Sequence, residues 1–314
     1  MSFSSETKKE LCALKIESKI EALLELSAIA RTNASVHMSR DRIQLRFFSE
    51  SEEVILRIIR LVKFLYGMDI DHIIQQNDQL KQNPVHSTFF EGETLDLFFD
   101  QAALDPFGHY TQSPDRILSR LKAEGNSRAY LRGAFLGGGS IVDPHKSYHL
   151  EIIVPDRAEA EILHRVFQTM AIESKEVVRR DQRVIYLKDS EMISDCLVDI
   201  GASLAMLELE NIKVVKDVRN DINRKVNAET ANLDKQLDAA FKQIAAIHYI
   251  EENGGLDRLA PGLRELALLR LDNPQAKLQE LGDRLHPPLS KSGVSHRLRK
   301  ILRIAEELQE KSNS

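Results

Sequence analysis

Apolar residues in the first hundred positions alternate between helical and strand periods. Residues 17–31 carry them at the i, i+3, i+4, i+8 spacing of an amphipathic helix. Ile43, Leu45 and Phe47 then alternate with polar neighbours, which predicts a strand with one polar face. A strongly apolar helix is predicted over 52–66. The other elements predicted for this half are strands over 69–75 and 84–90 and a helix over 93–103.

The same order of elements returns after turn signals near residue 125. A helix over 128–136 ends at three successive glycines, and further elements follow it. These are strands over 148–154, 175–180 and 183–188 and helices over 157–170 and 191–200. Both halves are therefore predicted to be α-β-β-α-β-β-α, although the pattern does not locate the first strand of the second half. Corresponding helices begin about 105 residues apart, which favours one pseudo-symmetric domain formed by duplication over a solenoid.

From Asn211 onward the periodicity is helical only. The predicted helices cover 212–226, 230–252, 263–270, 278–285 and 291–308. The pattern thus predicts an α+β fold, with a duplicated αββαββα domain over residues 1–218 and an all-α domain over 219–314. The two halves of the first domain are expected at about 1–105 and 126–205.

The last two predicted helices have the features of a helix-turn-helix, which we expect at about 263–303. The first is short and apolar on one side, a turn with two prolines follows, and Ser290 is a favourable N-cap for the second. In such a motif the start of the second helix faces base edges and its basic residues reach phosphates. The candidates at base edges are Lys291, Ser292, Ser295 and His296. The candidates at phosphates are Arg297, Arg299, Lys300 and Arg303. The alternative is a helical hairpin with a solvated basic face.

The charge distribution agrees with a DNA-binding tail. The chain has a formal net charge of −5. From Pro261 to the end there are 10 Lys and Arg against 7 Asp and Glu, a net +3, so the preceding 260 residues carry −8. A small basic module on an acidic body is typical of DNA binding joined to a separate regulatory domain.

The composition indicates the cellular compartment of the protein. No apolar run approaches the ~20 residues that span a bilayer, and the N-terminus lacks the apolar core of a secretory signal. Cys12 and Cys196 give neither a disulfide framework nor a metal-ligand spacing. We therefore expect a cytoplasmic protein with no membrane association.

Two of the repeated helices carry a recognisable motif. Leu131–Ser140 is similar to the LAGLIDADG helix of homing endonucleases, and Leu26–Ser35 is a weaker copy. In that fold the two helices cross at the pseudo-twofold axis, where small residues permit close approach. Ala28 and Gly133 stand at positions that need such residues.

The whole chain resembles the WhiA family of bacterial sporulation and cell-division regulators, which joins a degenerate LAGLIDADG domain to a C-terminal helix-turn-helix. The matching stretches are Ser4–Leu11, Tyr130–Ser140, Tyr148–Ile152, Val218–Asn227, Glu229–Lys235 and Leu289–Lys300. The resemblance implies a LAGLIDADG-endonuclease-like fold for the duplicated domain. It also implies a nucleoid-associated regulator that binds double-stranded DNA and controls division, chromosome segregation or sporulation genes.

Nuclease activity is not expected. An active enzyme of this fold needs an acidic residue near the end of each motif helix, because two carboxylates hold the metal ions at the phosphodiester. The aligned positions are Asn33 and Gly138, and neither supplies a carboxylate. The strand face that grips DNA in active enzymes is also mixed in charge, with Arg42, Gln44 and Arg46 in one half and His149 and Glu151 in the other. We expect little or no DNA contact from this face.

Two other hypotheses remain at this point. In one, the acidic body binds RNA polymerase or a sigma factor, and the tail adds only nonspecific DNA affinity. In the other, the protein is a metal-dependent nuclease after all.

His145 and His149 lie beside Asp143 in the sequence and could suggest a metal site, but no third ligand is obvious. We therefore expect no metal and no cofactor.

Overall fold

The computed structural model describes residues 2–39, 42–75, 84–105, 114–122 and 124–312. The chain divides into two compact units, Met1–Lys216 and Asp217–Ser314. Among the described helices none combines the length and the apolar character needed to cross a bilayer. Cys12 and Cys196 are both buried free thiols.

The first unit begins with a helix that the sequence pattern did not predict, α1 (Phe3–Ala13), and continues with the first repeat. The elements of this repeat are α2 (Lys19–Asn33), β1 (Ala34–Ser39), β2 (Arg42–Ser49), α3 (Glu52–Tyr66), β3 (Ile73–Gln75), β4 (Val85–Glu91) and α4 (Glu93–Ala102). The strands form an antiparallel sheet in the order β1-β2-β4-β3. Gly67 ends α3 in the left-handed conformation with φ of 69°, as expected for a glycine C-cap.

A second repeat with the same order of elements follows the short helix α5 (Pro114–Arg120), which was also not predicted. The elements are α6 (Glu124–Gly138), β5 (Gly139–Ile141), β6 (Leu150–Val154), α7 (Arg157–Thr169), β7 (Lys175–Arg179), β8 (Gln182–Leu187) and α8 (Ser190–Ile200). Its sheet has the order β5-β6-β8-β7. The strand that the pattern did not locate is β5, and its three residues are too few for an alternating signal.

Strand registers show which residues of the two repeats are equivalent. Ser35 pairs with Arg46 in the first sheet, and Ser140 pairs with Glu151 in the second. Arg46 in turn pairs with Phe89, while Glu151 pairs with Tyr186. The duplication predicted from the pattern therefore extends to residue-level correspondence, and Arg46 and Glu151 occupy the same position.

The helices α2 and α6 form the most extensive helix packing of the unit. A Cβ atom on Gly133 would lie 2.2 Å from the backbone oxygen of Glu25, so the two backbones approach as closely as a glycine permits. Ala28 is fully buried in the same crossing. Both small residues therefore stand where the motif requires them.

Charged side chains are buried at this crossing, where Glu25 on α2 pairs with one arginine from α3 and one from α6. Arg57 on α3 donates to both Glu25 carboxylate oxygens, at 2.7 and 3.0 Å, and Arg132 on α6 donates at 2.9 Å. Arg57 also donates to the carbonyl of Leu14 after α1, and Arg132 donates to that of Ile200 at the end of α8. The Glu25 carboxylate is 1% exposed, so its charge is compensated almost entirely by these two guanidinium groups.

A second buried polar cluster lies along the same helices. The Tyr130 hydroxyl donates to Glu159, and the Arg31 Nε lies 3.8 Å from the other Glu159 oxygen. Burial raises the pKa of Glu159. The helix pair is therefore held by polar contacts as well as by apolar packing.

The helix α9 (Ser203–Glu252) begins in the first unit and ends in the second. Two separate helices over 212–226 and 230–252 were predicted here, and that prediction is wrong, because α9 continues unbroken for 50 residues. No proline or glycine lies between Ser203 and Glu252 to end it. Its first turn is capped by Glu10, whose carboxylate accepts from the backbone N–H groups of Leu204 and Ala205 at 2.7 and 3.0 Å.

The rest of the second unit is helical, as predicted. It consists of a 3-10 turn (Leu256–Arg258), α10 (Pro261–Asp272), α11 (Leu278–Arg284) and α12 (Lys291–Ser312). Ile247 and Ile250 near the end of α9 belong to the hydrophobic core that these helices share.

Candidate functional site

The helices α10, α11 and α12 pack around one apolar core. The apolar periodicity of the last two helices predicts seven inward-facing residues. Five of them are at most 2% exposed, namely Leu281, Leu285, Val294, Leu298 and Ile301, and the other two, Leu278 and Leu302, are half-buried against the same core. This packing supports the helix-turn-helix interpretation, since the second helix of the pair is held by one face and its other face is open.

The turn between α11 and α12 depends on Gly282. The Leu289 backbone N–H donates to the Gly282 carbonyl at 2.9 Å, and a Cβ on Gly282 would lie 2.2 Å from the Leu289 oxygen. Ser290 then caps α12 by accepting from the Gly293 N–H at 3.3 Å, as predicted. These contacts fix the direction in which α12 leaves the turn.

Arg270 fixes the turn on the other side of α11, and the sequence pattern did not single it out. It is 2% exposed, and its Nη1 donates to the carbonyls of Ala276 at 2.8 Å and Pro274 at 3.4 Å. Burial lowers the pKa of Arg270. The only signal in the sequence is a basic residue two positions before an Asp-Asn-Pro turn.

Most of the predicted DNA-binding side chains lie on the open face of α12. Those that are exposed are Lys291, Ser292, His296, Arg299, Lys300 and Arg303. Ser295 is half-buried among them. Arg303 has a partner at the helix surface, because its Nε lies 3.6 Å from the Glu307 carboxylate.

Arg297 is placed differently from the other predicted phosphate contacts. It is half-buried, and its Nη1 donates to the carbonyl of Gly262 in the first turn of α10 at 3.1 Å. A Cβ on Gly262 would lie 2.9 Å from the same nitrogen. The guanidinium therefore has a structural partner that the charge pattern of α12 does not reveal.

The electrostatics of this face favour an anionic partner. No Asp or Glu lies between Leu285 and Ala305, and five Lys and Arg do. The partial positive charge of the α12 N-terminus adds to that of Lys291. A polyanion such as DNA would meet no repulsive carboxylate along the first three turns of the helix.

The two positions that the motif alignment matches to catalytic acids, Asn33 and Gly138, have structural roles here. The Asn33 amide donates to the carbonyl of Gly137 at 3.3 Å, and its oxygen accepts from the Phe48 N–H at 3.2 Å. A Cβ on Gly138 would lie 2.4 Å from the carbonyl oxygen of Ile153 on β6. Asn33 thus joins the ends of the two motif helices, and position 138 has no room for a side chain.

An open cleft of about 490 Å³ lies at these helix ends. Among the described residues that line it, Glu50 is the one carboxylate. Lys8 enters from α1, and its Nζ donates to the carbonyl of Leu136 at 3.2 Å and stands 5.9 Å from the centre of the Phe135 ring. The C-terminal end of α6 is therefore next to a lysine ammonium instead of a metal-binding carboxylate.

Replacing Lys8 should change how stability depends on pH. Burial lowers the pKa of Lys8 from 10.5 to about 8. Between these values the unfolded chain binds more protons, so the Lys8 contribution to stability rises with pH and is lost as pH falls through 8. We expect Lys8→Met to gain stability over the native chain below pH 8, and the gain to shrink toward pH 10. Urea unfolding at both pH values measures this, with Lys9→Met at an exposed neighbour as control. Parallel pH profiles for both variants would contradict the expectation.

The charged side chains on the strand face of the first repeat have partners within the protein. Glu91 accepts from Gln44 at 2.6 Å and pairs with Arg42 at 3.4 Å. Arg46 donates to the Gln44 oxygen at 2.7 Å and lies over the ring of Phe89. The guanidinium groups of both arginines on this face therefore already contact other side chains of the protein.

In the second repeat an acid replaces the arginine. Glu151 occupies the position equivalent to Arg46, and it pairs with His149 at 3.1 Å and Arg179 at 3.4 Å. Glu151 and Arg179 offset each other's charge, so the centre of this face holds an ion pair and not the arginine of the first repeat. The expectation of little or no DNA contact from the strand faces stays a prediction.

Comparison with known families follows the same division of the chain. Residues 19–103 match the family model described as WhiA N-terminal LAGLIDADG-like domain. Residues 127–219 match the WhiA LAGLIDADG-like domain, and residues 222–305 match the WhiA C-terminal HTH domain. The fold and these matches define the class, a LAGLIDADG-like protein with a C-terminal helix-turn-helix.

Relatives cover the full length of the chain. A "Probable cell division protein WhiA" of Thermoanaerobacter sp. (strain X514) is 40% identical over 99% of both chains. One of Desulfitobacterium hafniense (strain Y51) is 40% identical over 99% of this chain and 98% of its own. The chain belongs to the WhiA family, and the resemblance read from its motifs is confirmed.

Solved structures agree with the fold. The full-length DUF199/WhiA from Thermatoga maritima is 28% identical and superimposes with a TM-score of 0.61 over 98% of this chain and 99% of that one. The N-terminal LAGLIDADG domain of DUF199/WhiA, 22% identical, gives a TM-score of 0.50 over 64% of this chain and 92% of its own, and shows the same fold. The predicted fold class is therefore confirmed.

Proposed function

We propose that this protein is a non-catalytic transcription regulator that binds double-stranded DNA and controls genes of cell division, chromosome segregation or sporulation. The observation that carries the proposal is the open face of α12, which is basic, free of acids as far as Ala305 and oriented by a packed helix-turn-helix. The names of the relatives, which describe cell division proteins, support the biological setting.

The two domains have different tasks in this proposal. Residues 219–314 read DNA, with base contacts from the first turns of α12 and phosphate contacts from Arg299, Lys300 and Arg303. Residues 1–218 act as a platform for regulatory partners, because the named charged groups on the strand faces are paired with one another and Glu151 stands where the first repeat has an arginine. The protein acts in the cytoplasm at the nucleoid.

The test is selection of genomic DNA fragments by the full-length chain, with fluorescence anisotropy at several salt concentrations. We expect a shared sequence motif to be enriched and to remain bound at moderate salt, since base contacts are less sensitive to salt than phosphate contacts. His296→Ala should change the enriched motif, whereas Arg165→Ala, an exposed arginine on α7, should leave it unchanged.

The competing candidate is a protein-interaction factor that acts through RNA polymerase or a sigma factor. It predicts binding without sequence preference that disappears at moderate salt. If no motif is enriched, or if His296→Ala selects the same motif as the native chain, the helix-turn-helix is not the reader and the proposal fails.

Restoring carboxylates at the former catalytic positions should not restore cleavage. The double variant Asn33→Asp and Gly138→Asp supplies both acids, but an Asp at 138 collides with the Ile153 carbonyl. We expect a loss of about 1–3 kcal/mol in stability from this overpacking. No nicking of supercoiled DNA with Mg²⁺ or Mn²⁺ is expected from either chain. Nicking by the native chain would contradict the non-catalytic proposal, and nicking by the stable double variant alone would contradict the steric argument.

A further inference from the structure

Three side chains of the first repeat converge on one point from separate elements. Glu52 is the first residue of α3, His72 directly precedes β3, and His86 lies on β4. The Nε2 of His72 lies 3.0 Å from the Nδ1 of His86, and the Nδ1 of His72 lies 3.9 Å from the Glu52 carboxylate. One possible ligand atom can be chosen from each residue so that the three atoms all lie within 4.8 Å of one another.

We propose that Glu52, His72 and His86 bind a divalent transition-metal ion, with zinc as the best match. Two imidazoles and one carboxylate, with water as the fourth ligand, are a donor set that zinc uses in tetrahedral sites. Nitrogens that share a zinc at ~2.0–2.1 Å stand about 3.3 Å apart. The observed 3.0 Å is close to this value.

One side chain of the three can move to complete the site, and another is held in place. His86 is only 8% exposed and is held within its strand. Glu52 has 54% of its side chain exposed, so its carboxylate can rotate toward the two imidazoles at small cost. Among the described residues this is the one group of three or more His, Cys, Asp and Glu side chains with such spacing.

The second repeat gives an internal comparison, because strand register assigns its equivalent residues. His86 corresponds to Arg183 and His72 to Glu176, while Glu52 corresponds to Arg157 at the start of α7. Glu176 and Arg183 form an ion pair there. One repeat thus satisfies these positions with opposite charges. The other brings together two imidazoles, with nitrogens 3.0 Å apart, and a carboxylate, which is a set of metal-binding donors and not an Arg–Glu ion pair.

A bound ion would secure the edge of the first sheet. The three residues of β3 are all exposed, and the strand lies at the sheet edge beside β4. The ion would join the start of β3 to β4 and to the first turn of α3. Its role is structural, and it is separate from the former catalytic positions at the ends of α2 and α6.

The test is titration of the tag-free, chelator-treated full-length chain with Zn²⁺ by calorimetry, and with Co²⁺ by visible absorption. We expect one ion per chain, a tetrahedral Co²⁺ spectrum and a rise in melting temperature with Zn²⁺. His72→Ala should weaken binding by more than about 10-fold and abolish the rise. His164→Ala should do neither, because His164 contacts one carboxylate, that of Glu176, and belongs to no such three-residue group within the described part of the chain.

A second variant keeps the test decisive if single changes unfold the sheet. His72→Glu with His86→Arg installs the ion pair of the second repeat and should fold without binding metal. The proposal is overturned if the native chain shows no Zn²⁺ or Co²⁺ binding. It is equally overturned if the ion binds His72→Ala or the double variant as tightly as the native chain, since the two imidazoles are then only hydrogen-bonded to each other.

Discussion

Glu25→Ala is expected to destabilise the first unit by about 3–5 kcal/mol, the largest effect of any substitution considered. Arg57 and Arg132 would remain buried or half-buried without their shared carboxylate, and an uncompensated buried charge is strongly unfavourable. For a unit of this size the change corresponds to a fall of roughly 10 °C in melting temperature. Thermal unfolding followed by circular dichroism measures it.

The matched control is Glu161→Ala, which removes an exposed carboxylate that pairs with Arg165 on the same helix. An exposed pair of this kind contributes about 0–1 kcal/mol. Glu25→Gln should give an intermediate loss, because it keeps the shape and the oxygen acceptor but removes the charge. If Glu25→Ala unfolds no earlier than Glu161→Ala, the buried network does not hold the helices together.

Arg299→Ala combined with Lys300→Ala is expected to weaken DNA binding about 30-fold near physiological salt. Each phosphate contact contributes about 0.9 to the slope of log affinity against log salt, so two lost contacts flatten the slope by about 1.8. Both residues are exposed on α12, so the melting temperature should not change. Anisotropy titrations between about 50 and 300 mM salt measure the slope.

The variant Arg297→Ala tests whether Arg297 stabilises the fold, contacts a DNA phosphate, or does both. Its bond to the Gly262 carbonyl ties α12 to the start of α10, so its loss should lower the melting temperature as well as the affinity. An unchanged slope with lower stability would assign Arg297 to the fold alone, and a slope flattened by about one with unchanged stability would assign it to DNA. If the Arg299 and Lys300 double variant keeps the native slope, these residues do not contact phosphates.

Much of the fold was predictable from the sequence because the buried side of a helix or strand repeats apolar residues at a regular spacing. The helix predicted over 52–66 matches α3 to the residue, since its apolar face and Gly67 mark both the body and the end. The short elements gave no such signal. The strand β5 has only three residues, which is too short for an alternating apolar and polar pattern to be recognised. The helices α1 and α5 lack a long row of apolar residues on one side.

The site was predictable in its residue types and only partly in its contacts. The acid-free basic stretch of α12 is visible in the sequence. The bond from Arg297 to Gly262, 35 positions away, and the enclosure of Arg270 depend on tertiary packing. The Glu52, His72 and His86 cluster was missed for the same reason, because three elements bring its members together and no spacing along the chain announces them.

The packing at Gly138 limits which residues this position accepts. A Cβ there would lie 2.4 Å from the Ile153 carbonyl oxygen, so any side chain requires β6 to move. An aspartate introduced at this position would meet that collision before it could act as a metal ligand. Tolerance to substitution at the end of α6 is thus set by the backbone of the neighbouring strand, and a second change that shifts β6 would have to come first.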